Sequence, residues 1–311
     1  MAAVNILSDI RFWIVTGVAC AAIIGPVGDL SSAIVIIVLI AQMTLSMDGL
    51  SLSSDSIKKN KNQIALSAAA CFIISTAVTL LIGSFFISGH PNLWNGWIML
   101  AAVPCAVSCV TMSFFLKGNT MMCVLALAVI YFAALAVTPL TSRALMGESV
   151  SVLRIFSYVI LFVIIPMAAS VPMKKLRINR TARVIAINVM MFVMVFLSLG
   201  QNRGYIFSEP GVVMLVAAAC VIRIFGVSMV MLYLMKRRGV RRDNGIVYLS
   251  MAVWKNSGLA ATLCFVLFGS AAEAVLPCAI SLLIEIVWFA AISGYIEKTW
   301  PAVKEPGPAD G

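Results

Sequence analysis

Apolar residues in this chain come in long unbroken runs and do not alternate with polar ones. A run of about 20 apolar residues crosses a bilayer as a helix. Runs of that length occupy approximately 11–27, 31–49, 63–88, 94–115, 120–142, 152–172, 183–200, 210–235, 246–269 and 274–296. The pattern predicts about ten transmembrane helices joined by short polar loops. The missing alternation excludes a membrane barrel. Backbone groups in lipid must pair within their own segment, so the fold class is an all-α polytopic membrane protein. Gly25-Pro26 interrupts the first run, which predicts a short or broken first helix.

Composition agrees. The 311 residues are 62% hydrophobic and 11% charged, with a mean hydropathy of +1.06. A soluble domain is nearer half apolar and a quarter charged. The formal charge of +10 would suggest nucleic acid in a soluble chain. Here loop asymmetry accounts for it, and no nucleic-acid partner is expected. Lys58, Lys59 and Lys61 follow the second run, and Lys117 the fourth. Lys174, Lys175, Arg177, Arg180 and Arg183 follow the sixth. Lys236, Arg237, Arg238, Arg241 and Arg242 follow the eighth. All these loops share one parity, whereas the other parity holds only Arg143, Arg154 and Arg203. The positive-inside rule places the even loops and both termini in the cytoplasm of an inner or plasma membrane. A cluster of five basic residues could also attract anionic lipid. All eight cysteines lie in apolar runs, so no disulfide framework is expected. The first run has no basic n-region, so it reads as a retained helix and not as a signal peptide.

Five runs precede the polar break Gly147-Glu148-Ser149 and five follow it. An odd number per half inverts the second half relative to the first. Residues 1–147 and 148–298 then form two inverted five-helix repeats, with a tail at 299–311. In transporters built this way, broken helices of the two repeats meet near the bilayer midplane. The fourth run of each half carries such a break: Pro104-Cys105-Ala106-Val107-Ser108-Cys109 and Lys255-Asn256-Ser257-Gly258. The plain alternative is that proline and small residues are simply common in membrane helices.

At these motifs the sequence resembles the bile acid:sodium symporter family, within a wider group of bile acid, arsenite and riboflavin transporters. Pro104 is followed by Lys117-Gly118-Asn119 at the spacing of the family's P-G-G-T-S-S-N and K-G-D. Asn256-Ser257-Gly258-Leu259-Ala260 matches the end of its E-V-G-M-Q-N-S-G-L-A. Asp48-Gly49-Leu50-Ser51-Leu52 resembles its G-L-S-L segment, and Pro277 its L-P. The resemblance implies a core domain of spans three to five and eight to ten. A panel domain of spans one, two, six and seven would pack beside it, and two discontinuous helices would cross in the core at Pro104 and Gly258. It also exposes departures. Positions that hold sodium ligands in the family carry Cys109, Val110, Met251, Cys123, Leu127 and Cys71 here, and the family's glutamine is Lys255. Sodium wants hard oxygen ligands, which thiols and thioethers do not supply. The sodium sites are therefore not carried over, and no metal or cofactor is expected.

Ionisable residues inside the membrane are functional candidates by default. Lys255 could replace the bound cation permanently and hold unwound carbonyls together, or it could shuttle a proton. Glu285 lies mid-span in the tenth run and is expected to pair with Lys255, as a structural lock or as a switch. Arg223, mid-span in the eighth run, suits an anionic solute or Glu285. Asn256, Ser257, Ser108 and Cys109 complete the candidate substrate and coupling set. Cys105 is the thiol that an arsenite-like permease would use, although a buried cysteine is usually an inert packing residue.

These residues point to a secondary transporter of a small organic, anionic solute by alternating access. It would be proton-coupled or uncoupled and not driven by sodium. Alternatives are a non-transporting receptor or degenerate homologue, and a metalloid efflux permease working through Cys105. An enzyme is not expected, because no membrane cluster of His, Asp and Glu and no nucleophile–base pair is visible.

Overall fold

The computed structural model describes residues 6–28, 31–46, 54–147, 151–173, 176, 178–268 and 272–300. The segment at Asp48-Gly49-Leu50-Ser51-Leu52, the residues Glu148-Ser149, the basic residues Lys174, Lys175 and Arg177, and positions 301–311 lie outside the described residues.

Helices account for the described fold, and no strand occurs among the described residues. Besides the short helices Ser54–Lys59 and Arg203–Ser208, they are in chain order α1 (Ile10–Ile24), α2 (Ser31–Ser46), α3 (Lys61–Phe86), α4 (Pro91–Ala102), α5 (Cys109–Phe115) and α6 (Thr120–Met146). There follow α7 (Leu153–Met173), α8 (Arg180–Gln201), α9 (Pro210–Arg237), α10 (Arg242–Val253), α11 (Ser257–Phe268) and α12 (Leu276–Thr299). Among the described residues, six helices are long and apolar enough to cross a membrane: α3, α6, α7, α8, α9 and α12. α1 and α2 have 15 and 16 residues. At 1.5 Å per residue their described lengths span about 23 Å. The protein is an all-α membrane protein.

Local chemistry sets the helix ends. Asp9 and Asn119 cap α1 and α6 by accepting from the backbone N–H groups of Arg11 and Met122 at 2.9 and 3.0 Å. Such caps satisfy N–H groups that have no partner inside the helix. Pro91 and Pro210 sit in the first turns of α4 and α9, where a missing N–H costs nothing. α1 stops at Gly25, whose φ of +81° is left-handed, immediately before Pro26.

α8 packs along α1 and α2, and α2 also meets α7. α4 packs against α3, α6, α11 and α12, while α9 packs against α12 and α10. α4 and α10 are buried on nearly every face: Trp97–Ala102 and Ile246–Val253 are closed to solvent and lipid. A helix apolar all round belongs inside a bundle. Gly96 permits the close approach of α4 to the turn before α12, because a Cβ there would overlap the carbonyl of Ala274.

Candidate functional site

α4 ends at Ala102 because Pro104 supplies no N–H and forces Val103 into an extended conformation (φ −71°, ψ 156°). α10 ends at Val253, and Trp254 is likewise extended (φ −95°, ψ 92°). The two breaks cross as an antiparallel pair, with Cys105 opposite Lys255. Ala106 N–H donates to Trp254 O at 3.0 Å, and Asn256 N–H to Pro104 O at 2.8 Å. Breaking a helix leaves its last carbonyls without donors and concentrates negative potential there. At this crossing two buried cations answer that potential.

Lys255 is fully buried. Its Nζ donates to Ala101 O and Val103 O, both at 2.9 Å, and to Cys71 O at 3.1 Å. Thr76 Oγ1 lies at 3.4 Å and itself donates to Ala101 O. The Phe72 ring centroid is 5.9 Å from the ammonium. Cys71 belongs to a π-helical turn, Ala70–Ser75, inside α3. A π turn is wider than an α turn and loosens the regular ladder, so the Cys71 carbonyl becomes available to an outside donor. Three carbonyls and a hydroxyl from α3 and the end of α4 thus surround one ammonium.

Glu285, on α12, forms the second cluster. Arg223 Nη2 on α9 pairs with Glu285 Oε1 at 3.0 Å, and both side chains are buried. Ser257 Oγ donates to both carboxylate oxygens at 3.1 and 3.2 Å, and Ser281 Oγ to Oε1 at 3.1 Å. Arg223 Nη2 also bonds Ser281 Oγ, and Nη1 reaches Val253 O at 3.4 Å. Arg223 therefore meets the open end of α10 as Lys255 meets the open end of α4. The expected Lys255–Glu285 side-chain pair does not form. The Lys255 backbone N–H donates to Glu285 Oε1 at 3.3 Å, while its side chain leaves in the opposite direction, toward α3 and α4. The packing of α9 against α12 sets Arg223 beside Ser281 and Glu285, and the guanidinium fork can bond both at once.

The other candidates are placed unequally. Asn256 caps α11: its Oδ1 accepts from Leu259 N–H at 3.1 Å and its Nδ2 donates to Tyr131 OH at 2.9 Å. Ser257 and Gly258 line a narrow cleft between α8 and the α11–α12 pair, together with Val195, Ser198 and Leu282. Cys109 Sγ contacts Ser250 O at 3.4 Å. Cys105 is buried with its sulfur against Met251 Sδ at 2.9 Å. Ser108 heads α5, and among the described residues no hydrogen bond links its side chain to either cluster. Three participants escaped sequence reasoning: Thr76, Tyr131 and Ser281. Each is a lone polar group inside an apolar run, and that is the signal that could have singled them out.

These features define a class first: an integral all-α membrane protein with two broken helices crossing over buried, compensated charge. The Sodium Bile acid symporter family matches residues 33–209, more than half of the chain, and the chain belongs to that family. Members are transporters and not enzymes. The matched stretch includes the first break and stops before α9, so the break carrying Lys255 lies beyond it. No curated protein matches the chain.

Proposed function

We propose that this protein carries a small organic anion by alternating access without sodium, and that the Lys255 ammonium stands permanently where a coupling cation would otherwise bind. The observation behind this reading is the shell around Nζ, in which carbonyls of Cys71, Ala101 and Val103 and the hydroxyl of Thr76 lie within 2.9 to 3.4 Å. Those are hard oxygen donors of the kind that hold small cations. A tethered ammonium fills such a shell at no cost in binding entropy, and the side-chain sulfurs nearby add no oxygen to it.

The scaffold in this reading has ten spans in two inverted repeats, 1–147 and 148–298. α4–α5 and α10–α11 are the crossing broken spans. The packing of α8 with α1 and α2, and of α2 with α7, supports a panel beside a core of α3–α6 and α9–α12. The cleft bordered by Ser257 and Gly258 lies on that seam and holds little more than a water, so a solute enters when α8 separates from α11. One carboxylate against an ammonium and a guanidinium favours an anionic solute. The basic loops support a cytoplasmic location for both termini.

The test is a thermal-shift screen of purified protein against small carboxylates and bile salts, run in parallel in sodium chloride and choline chloride. A stabilising anion should act equally in both salts and should be taken up by proteoliposomes equally in both. Strict dependence of binding and uptake on sodium would overturn the proposal.

A further inference from the structure

The far end of α9 carries a feature that the transport reading does not use. Lys236, Arg237 and Arg238 end this helix, and among the described residues no carboxylate lies within ion-pair distance of any of the three. Asp243, the nearby acid on α10, pairs with Arg241 at 2.7 Å. Basic residues at a helix C-terminus are partly explained by the helix dipole. The dipole does not explain the shape around them. Lys236 and Arg237 open onto a groove between α9 and α12, walled by Met229, Leu232, Tyr233 and Tyr295.

Both cations are held in place at the mouth of this groove. Lys236 Nζ bonds Thr299 Oγ1 at 2.7 Å and lies over the Tyr295 and Trp300 rings at 5.6 and 5.9 Å. Arg237 Nη1 bonds Tyr233 OH at 3.2 Å. Ammonium and guanidinium keep further donors free, since they carry three and five N–H groups. Below the cations the α9 surface turns apolar, with Met229, Val230 and Leu234 exposed. Tyrosine and tryptophan rings at one level, cations just beyond them and apolar surface beneath are the pattern of a membrane–water interface.

We infer that the α9–α12 groove binds the phosphodiester headgroup of an anionic phospholipid, with Lys236 and Arg237 on the phosphate and the acyl chains running along Met229 and Val230. Charge complementarity selects an anionic lipid, and basic pockets between membrane helices are recognised sites for such headgroups. The site joins α9 to α12, the two helices that carry Arg223 and Glu285. A bound lipid therefore clamps the pair of helices behind the buried ion pair.

Native mass spectrometry and thermal shift of the full chain in neutral detergent test this. The probes are dioleoyl phosphatidylglycerol, dioleoyl phosphatidylcholine and soluble glycerol phosphate. Phosphatidylglycerol alone should remain bound and raise the melting temperature. The double variant Lys236→Gln/Arg237→Gln should bind it about 30-fold more weakly, from the loss of two cations near a charged headgroup. Lys58→Gln/Lys59→Gln, in another basic cluster, should bind it as the wild type does. Undiminished phosphatidylglycerol binding by the Lys236/Arg237 variant would overturn the assignment. So would equal stabilisation by phosphatidylcholine or by glycerol phosphate, or no lipid effect at all. A variant that fails to fold is replaced by Lys236→Arg, which keeps the charge and should retain binding; loss of binding there would equally overturn the assignment.

Discussion

Replacing Lys255 with glutamine, which keeps a long polar side chain but removes its charge, separates a tethered cation from an ordinary core residue. The substitution removes one positive charge and leaves three backbone carbonyls, of Cys71, Ala101 and Val103, facing at most two amide N–H groups. Hydrogen bonds to charged groups contribute about 1.5–3 kcal/mol each. The sum overstates the effect, because burying the ammonium had its own desolvation cost. A buried acceptor left without a donor costs about 1–3 kcal/mol, and with at least one carbonyl stranded and the others re-bonded by a neutral amide the expected loss is about 3–5 kcal/mol. At about 2 °C per kcal/mol for a chain of this size, the melting temperature should fall by about 6–10 °C. The distinguishing result is rescue. Once the ammonium is gone, the oxygen shell should accept sodium, and sodium at tenfold its dissociation constant restores about 1.4 kcal/mol. Differential scanning fluorimetry in sodium chloride and in choline chloride reads both effects. Lys298→Gln, on α12, serves as control and should change little. Equal melting temperatures for Lys255→Gln and wild type, or sodium stabilisation of the wild type, would refute the reasoning.

Other substitutions probe the second cluster and its supports. Glu285→Gln strands the Arg223 guanidinium and should cost about 3–5 kcal/mol, whereas Arg223→Met/Glu285→Gln should recover much of it; additive losses in denaturant unfolding would contradict the pairing. Tyr131→Phe removes the acceptor of Asn256 Nδ2 and should cost about 0.5–1.5 kcal/mol by the same assay, with no change in sodium response. Gly96→Ala drives a Cβ into the carbonyl of Ala274 and should cost about 1–3 kcal/mol or more, read as a fall in the yield of folded protein by size-exclusion chromatography.

Much of the scaffold was legible because lipid imposes a coarse rule. A helix that must satisfy its backbone alone needs a long apolar run, and the runs at 120–142 and 210–235 became α6 and α9, which begin where the runs begin and continue to Met146 and Arg237. The breaks were legible for a similar reason, since Pro104 and the polar Lys255-Asn256-Ser257-Gly258 cannot pass unnoticed in apolar sequence. The wiring was not legible. The ligands of Lys255 are mostly backbone carbonyls, which every residue possesses, so no side-chain pattern marks Ala101 or Val103, and Cys71 takes part through its carbonyl and not through the side chain that the resemblance singled out. The π turn that exposes the Cys71 carbonyl has no sequence signature of its own. The Lys255–Glu285 pairing failed because sequence distance says nothing about direction. The Lys255 backbone faces Glu285 while its side chain points away, and Arg223 takes the carboxylate from a neighbouring helix. Tyr131 and Thr76 lie 125 and 179 residues from their partners, so only the fold brings them in.

The central claim is that this member of the Sodium Bile acid symporter family carries its cation covalently. Equilibrium binding of radiolabelled sodium to the purified protein, wild type against Lys255→Ala, tests it directly. The account predicts no saturable sodium binding to the wild type and a saturable site in the variant, whose oxygen shell from Cys71, Thr76, Ala101 and Val103 is then open. Saturable sodium binding to the wild type, unchanged by the substitution, would contradict it.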